Sequence, residues 1–122
     1  MRFLLSMLII LSLGSLADAQ ERAQTDYVRP LGYCQLTASG TAALISTCSG
    51  GIPNLTIWAV ICIEIANIRW RDDGTSPTAT VGMPLISGTC LDYSGTMGAF
   101  SVIAQSGSPV IDISFYSGAP RS

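Results

Sequence analysis

The chain has 122 residues, a formal net charge of −2 and charge on only 11% of its positions. Its six basic residues are all Arg; Lys and His do not occur. Those absences exclude a Ser-His-Asp triad, a His-bearing zinc site, an imidazole pH switch, a P-loop lysine and a Schiff base. An acidic chain with scattered Arg also argues against an electrostatic nucleic-acid binder.

Residues 1–19 read as a signal peptide: Arg2 forms the positive start, Phe3 to Leu13 the apolar core, and Ala17-Asp18-Ala19 an A-x-A cleavage site. The apolar run is shorter than the roughly 20 residues of a spanning helix. The longest later run, Ile57 to Ile65, contains Glu64. The expected mature chain is exported to the periplasm or medium, or onto a virion, without stable membrane insertion once the signal is removed. Residues 20–30 are polar and aperiodic and read as a flexible arm. Residues 31–118 read as one domain.

All four cysteines, Cys34, Cys48, Cys62 and Cys90, follow the signal. An exported chain meets an oxidising compartment, where an even count points to disulfides. No C-x-x-C occurs, so a zinc site has little support. Three connectivities are open. The pattern leans to Cys34–Cys48, flanking an expected hairpin at Ser39-Gly40-Thr41, which leaves Cys62–Cys90.

No stretch keeps a 3.6-residue period. Short runs rich in β-branched and aromatic residues alternate with turn clusters, the all-β pattern. The expected strands begin with Tyr33 to Thr37 and Ala42 to Thr47. In Thr56 to Glu64, the residues Ile57, Ala59, Ile61, Ile63 and Ile65 share one parity. The apolar parity then switches, which places a tight turn at Glu64 to Asn67. The strand Asn67 to Arg71 turns Ile68 and Trp70 inward and Arg69 and Arg71 outward. Asp72 to Pro77 is a loop. Thr80 to Ile86 holds Pro84 and is assigned to a sheet edge. Thr89 to Tyr93, Ala99 to Gln105 and Val110 to Tyr116 complete eight strands, with Phe100, Val102, Ala104, Ile111, Ile113 and Phe115 as core. The expected fold is an antiparallel β-sandwich, jelly-roll-like.

Chemistry is thinly marked. The carboxylates Glu21, Asp26, Glu64, Asp72, Asp73, Asp92 and Asp112 show no spacing diagnostic of a glycosidase pair. Asp72-Asp73 lacks the calcium-loop rhythm, so the simpler expectation is that Asp72 caps the turn and Asp73-Gly74 bends it. No serine sits in G-x-S-x-G. Asn54-Leu55-Thr56 fits a glycosylation sequon. Arg69, Trp70, Arg71, Asp72 and Asp73 form the densest polar cluster. Their arginines serve either a neighbouring subunit or, by the favoured reading, carboxylates within the domain, Asp72, Asp73 or Asp112. Trp58 and Trp70 are candidates for stacking on a sugar, with core or interface packing as the commoner use.

The stretch Asn67 to Leu85, NIRWRDDGTSPTATVGMPL, is followed by Leu91-Asp92-Tyr93, Gly95 and a late Ile113-Ser114-Phe115-Tyr116. In these residues, spanning Leu31 to Tyr116, the chain resembles a family of small uncharacterised phage and prophage proteins. The resemblance implies a non-enzymatic structural or accessory role in a virion head or tail, with no catalytic residues, cofactor or metal. The chain departs from the family pattern in its leader and its four cysteines. The partners implied are further copies of the chain, for instance a homotrimer, or other virion or tail proteins. The other reading is a secreted, disulfide-stabilised β-sandwich module that binds a glycan or surface polymer.

Overall fold

The structure, a computed structural model, describes residues 28–118. The signal segment 1–19 and most of the expected arm lie outside the described residues. The strands are β1 (Arg29–Thr37), β2 (Ala43–Leu44), β3 (Trp58–Glu64), β4 (Ile68–Arg71), β5 (Met83–Leu85), β6 (Cys90–Tyr93), β7 (Ser101–Ala104) and β8 (Val110–Ser117). Arg29 and Pro30, assigned to the arm from sequence, belong to β1.

Two four-stranded antiparallel sheets face each other, with orders β1-β8-β3-β6 and β2-β7-β4-β5. Within them β1 pairs with β8, β2 with β7, β3 with β6 and β4 with β5. This is one long hairpin, doubled back on itself and rolled so that successive pairs alternate between sheets. It is the jelly-roll order, and the expected fold class holds. The turn at the tip of the rolled hairpin is the β4–β5 connection, residues 72–82, which is the middle of the RWRDDGTSPTATVGM stretch.

Alternation explains which faces meet. Ala59, Ile61 and Ile63 of β3, Ile111, Ile113 and Phe115 of β8, and Ile68 and Val102 of the second sheet lie in the core. Trp70, Tyr93 and Phe100 close it as a ring cluster: Trp70 stacks on Phe100 at 4.8 Å, and Tyr93 meets Phe100 edge-on at 4.7 Å. The run of one parity, Ile57 to Ile65, outlasts β3 at both ends. Ile57 and Ile65 are 52% and 75% exposed, each lying one residue outside the regular strand, although the Ile57 N–H still donates to the Tyr116 carbonyl of β8. The parity switch after β3 is a γ-turn: Ala66 N–H donates to the Glu64 carbonyl at 2.9 Å around Ile65, whose φ is 78°.

Two other expected elements shrink. Ala42 to Thr47 is a two-residue strand followed by a 3-10 turn at Ile45–Thr47. The hairpin at Ser39-Gly40-Thr41 does not form, because β1 pairs with β8 and β2 with β7, so residues 38–42 cross between sheets. Pro84 sits on an edge strand, as expected. Gln105 N–H donates to the Asn67 carbonyl, which sets the ladder phase of β4. In that phase the missing N–H of Pro84, opposite Arg69, faces the free edge.

Both expected disulfides are present, one of them for a different reason. Cys62 and Cys90 are direct cross-strand partners on β3 and β6, with Cα atoms 4.0 Å apart. Cys34–Cys48 does not span a hairpin. It ties edge strand β1 to the segment after the 3-10 turn, Cα to Cα 6.2 Å, and both cysteines are buried. Two disulfides agree with a non-reducing compartment. Among the described residues no helix is long and apolar enough to cross a membrane.

Candidate functional site

The five residues singled out from sequence, Arg69 to Asp73, do come together, but their partners are inside the domain. Strand alternation puts Arg69 and Arg71 on the outer face of the second sheet and Trp70 on the inner. The tip loop folds back over that outer face. Arg69 holds it there: Nη1 donates to the Gly82 carbonyl at 2.8 Å and Nε to the Ala79 carbonyl at 3.2 Å. The Gln105 amide oxygen, assigned toward the guanidinium on hydrogen-bonding grounds, accepts from Nε at 3.0 Å. Gly82 has φ 140°, and a Cβ there would lie 3.2 Å from Arg69 Cβ and from the Trp70 carbonyl. The loop passes too close to β4 for any other residue to fit without displacing it.

Arg71 forms a two-bond ion pair with Asp73. The pairing raises the Arg71 pKa and holds the Asp73 carboxyl below its ordinary range, helped by the Thr75 N–H. Asp73, not Asp72, is the residue that caps the turn, accepting the Thr75 N–H at 3.3 Å. Asp72 instead accepts the Tyr93 hydroxyl at 2.8 Å, linking the loop to β6. Burial and this acceptor push the Tyr93 phenol well above its ordinary value. Asp112, one of the carboxylates considered for these arginines, belongs to the other sheet. Trp70 stacks one ring face on Phe100 and meets Tyr93 edge-on, the packing use of such a residue.

Two hollows flank the folded-back loop. One, of about 400 Å³, is lined by Leu44, Thr75, Ser76 and Ser101 among others. The second, of about 340 Å³, lies between Arg71, Asp72, Asp73, Val81 and Met83. Among the described residues no group of three or more His, Cys, Asp or Glu side chains is arranged to hold a metal ion.

The outer face of the first sheet carries a second cluster that the sequence did not reveal. Asp112 of β8 accepts the Tyr33 hydroxyl at 2.6 Å and the Gln35 amide at 2.8 Å, both from β1. Glu64 lies diagonal to Asp112 across the β3–β8 ladder, near enough for the two carboxyls to influence each other's titration. Tyr33 and Gln35 hold Asp112 below its ordinary pKa, whereas the neighbouring Asp112 carboxylate raises Glu64. At the far end of this face Trp58 stacks on Tyr116, centroids 4.5 Å apart, and its indole N–H is buried without a partner. Tyr33 and Asp112 lie 79 positions apart in sequence, and the β1–β8 register brings them together, as the β3–β8 register brings in Glu64 and Trp58.

No protein-family model, curated protein or solved structure matches the chain.

Proposed function

We propose that the protein is a non-enzymatic structural or accessory component of a phage or prophage-type particle, exported and assembled through its β surfaces. The observation that carries this reading is the jelly-roll strand order, an architecture that viral capsid domains use. A fold hosts many functions, so the support is one of architecture. The motif that carries the family resemblance agrees with it. Its arginines and carboxylates are spent on fastening the tip of the rolled hairpin to the sheet, a role in building the domain rather than in chemistry. The test is mass spectrometry, without reduction, of particles purified after prophage induction in the source organism. Mature peptides carrying the Cys34–Cys48 and Cys62–Cys90 links are expected in the particles. Their absence, with the chain found free in periplasm or medium, refutes the reading.

The second reading, a secreted module for glycan or surface polymer, is favoured by one observation, the Trp58–Tyr116 pair on an outer sheet face. Lectin domains also use this architecture. Loss of binding on a glycan array in Trp58→Ala, with Trp70→Phe unaffected, is the result that would favour it. No wild-type binding on such an array would remove it.

A further inference from the structure

The four sheet edges differ in what they offer. β5 carries Pro84 with its missing donor at the free edge. β2 is two residues long, and Thr47 Oγ1 occupies the Leu44 carbonyl. β6 is four residues long and carries Asp92. Proline, shortness and charge are the usual blocks against strand addition.

β1 is different. It runs for nine residues, and its bulge, between Pro30 and Gly32, is confined to its first half. Ala38 N–H donates to the Pro109 carbonyl, which fixes the ladder phase. Leu36 and Cys34 therefore exchange hydrogen bonds with β8, and the backbone N–H and C=O groups of Tyr33, Gln35 and Thr37 face away from it. Among the described residues none of these groups has a backbone partner. Nor do side chains shield them. Tyr33 and Gln35, the two long ones, are drawn back over the sheet by Asp112. All three residues are exposed and uncharged.

We propose that the 33–37 edge of β1 pairs antiparallel with the same edge of a second copy, across a two-fold axis at Gln35. The proposal rests on the assembly reading above and names its partner. Gln35 then faces the partner's Gln35, and Tyr33 faces the partner's Thr37. This register satisfies the open N–H and C=O groups of Tyr33, Gln35 and Thr37 in both copies and joins the two first sheets into one continuous sheet. A same-patch contact of this kind closes as a dimer. No charged side chain of β1 meets its like across the seam. Each Gln35 amide, with one hydrogen given to Asp112, keeps a second hydrogen and its oxygen for the partner's amide.

The test uses the mature chain with disulfides intact, in sedimentation equilibrium and hydrogen exchange over a range of concentrations. The wild type is expected to dimerise, with Tyr33, Gln35 and Thr37 amides slowing as the dimer fills. Gln35→Pro removes an N–H that has no partner among the described residues, and is expected to stay monomeric with unchanged far-ultraviolet circular dichroism. Should it misfold, Gln35→Lys serves: each Lys keeps its own Asp112, and like charges meet at the axis, so dimerisation weakens several-fold. A monomeric wild type at all concentrations overturns the proposal, as does a trimer, or a dimer in which these three amides stay fast. Slow exchange in a monomer assigns the edge to another segment and also overturns it. The particle reading is tested separately, since the chain's presence in particles does not depend on how its copies pair in solution.

Discussion

Replacing Arg69 separates a brace within the domain from a handle for a neighbour. The Gly82 bond is short, partly buried and charge-assisted, so its loss costs about 1.5–2 kcal/mol. The Ala79 acceptor is exposed, and water replaces its donor at little cost. The stem of Arg69 lies beside the buried Ile103 on the outer face of the second sheet. Truncating that stem adds about 1 kcal/mol. Arg69→Met, which keeps the stem, is therefore expected to cost about 2 kcal/mol, and Arg69→Ser about 3 kcal/mol. In a domain of this size the Met variant melts roughly 8–16 °C lower.

The assay is urea unfolding with disulfides intact, read as a shift in midpoint at constant slope, beside amide exchange of residues 77–82. Both variants are expected to speed exchange in that loop. Arg71→Ser is the comparison: its pair with Asp73 is exposed to solvent, and the effect should be hard to distinguish from wild type. If Arg69→Ser leaves stability within about 0.5 kcal/mol of wild type and instead abolishes self-association, the brace argument is wrong and the arginine reaches outward.

Three further outcomes are expected. Tyr93→Phe leaves Asp72 without its hydroxyl partner and removes the link from loop to β6. It should cost about 1–2 kcal/mol in the same urea assay, and no loss would remove that bond from the account. Ile65→Gly relieves a positive φ at a side chain that is 75% exposed. It should stabilise by about 1 kcal/mol, the strain relieved less the added freedom of the unfolded chain, and destabilisation would mean the γ-turn is unstrained. Carboxyl NMR titration should find Asp112 below and Glu64 above their ordinary values of 3.8 and 4.5. Asp112 then contributes stability above its ordinary value, lost as pH falls through its depressed one. The protonated Glu64 contributes below its ordinary value, and that contribution is lost as pH rises through its raised one. In Glu64→Gln the upper titration should vanish while Asp112 stays depressed, and two unshifted carboxyls would refute the contact.

The fold was legible where one strand's own pattern decides the matter. The alternation of Ala59, Ile61 and Ile63, the phase break before Ile68, and Pro84 at an edge each follow from a period of two and from what proline lacks. The ends were not legible. Ile57 and Ile65 continue the parity of the core, yet both lie just outside the regular strand and are exposed. The in-domain use of the arginines was likewise half readable. Arg71 and Asp73 stand two residues apart, and a strand leading into an Asp-Gly turn brings them together. Arg69 reaches carbonyls of Ala79 and Gly82, and backbone acceptors leave no trace in a sequence.

The Cys34–Cys48 pairing shows how a correct expectation can rest on the wrong contact. Two cysteines flanking a turn suggest a hairpin, but in this rolled hairpin β1 and β2, consecutive in sequence, lie in opposite sheets. What brings Cys48 to Cys34 is the segment after β2, which turns inward through the buried Ile45 and passes under β1, where Pro53 approaches Gly32. The disulfide therefore holds the inner side of the edge strand and leaves its outer side open. In the chain-entropy model its separation of 14 residues is worth about 3 kcal/mol, and the 28 of Cys62–Cys90 about 3.6 kcal/mol. The shorter bridge is the smaller entropic constraint, yet it fixes β1, the strand whose free edge is the least blocked among the described residues. An edge held rigid from within loses less freedom when a second strand joins it, so the proposed β1 pairing would draw on the same bond that secures the domain.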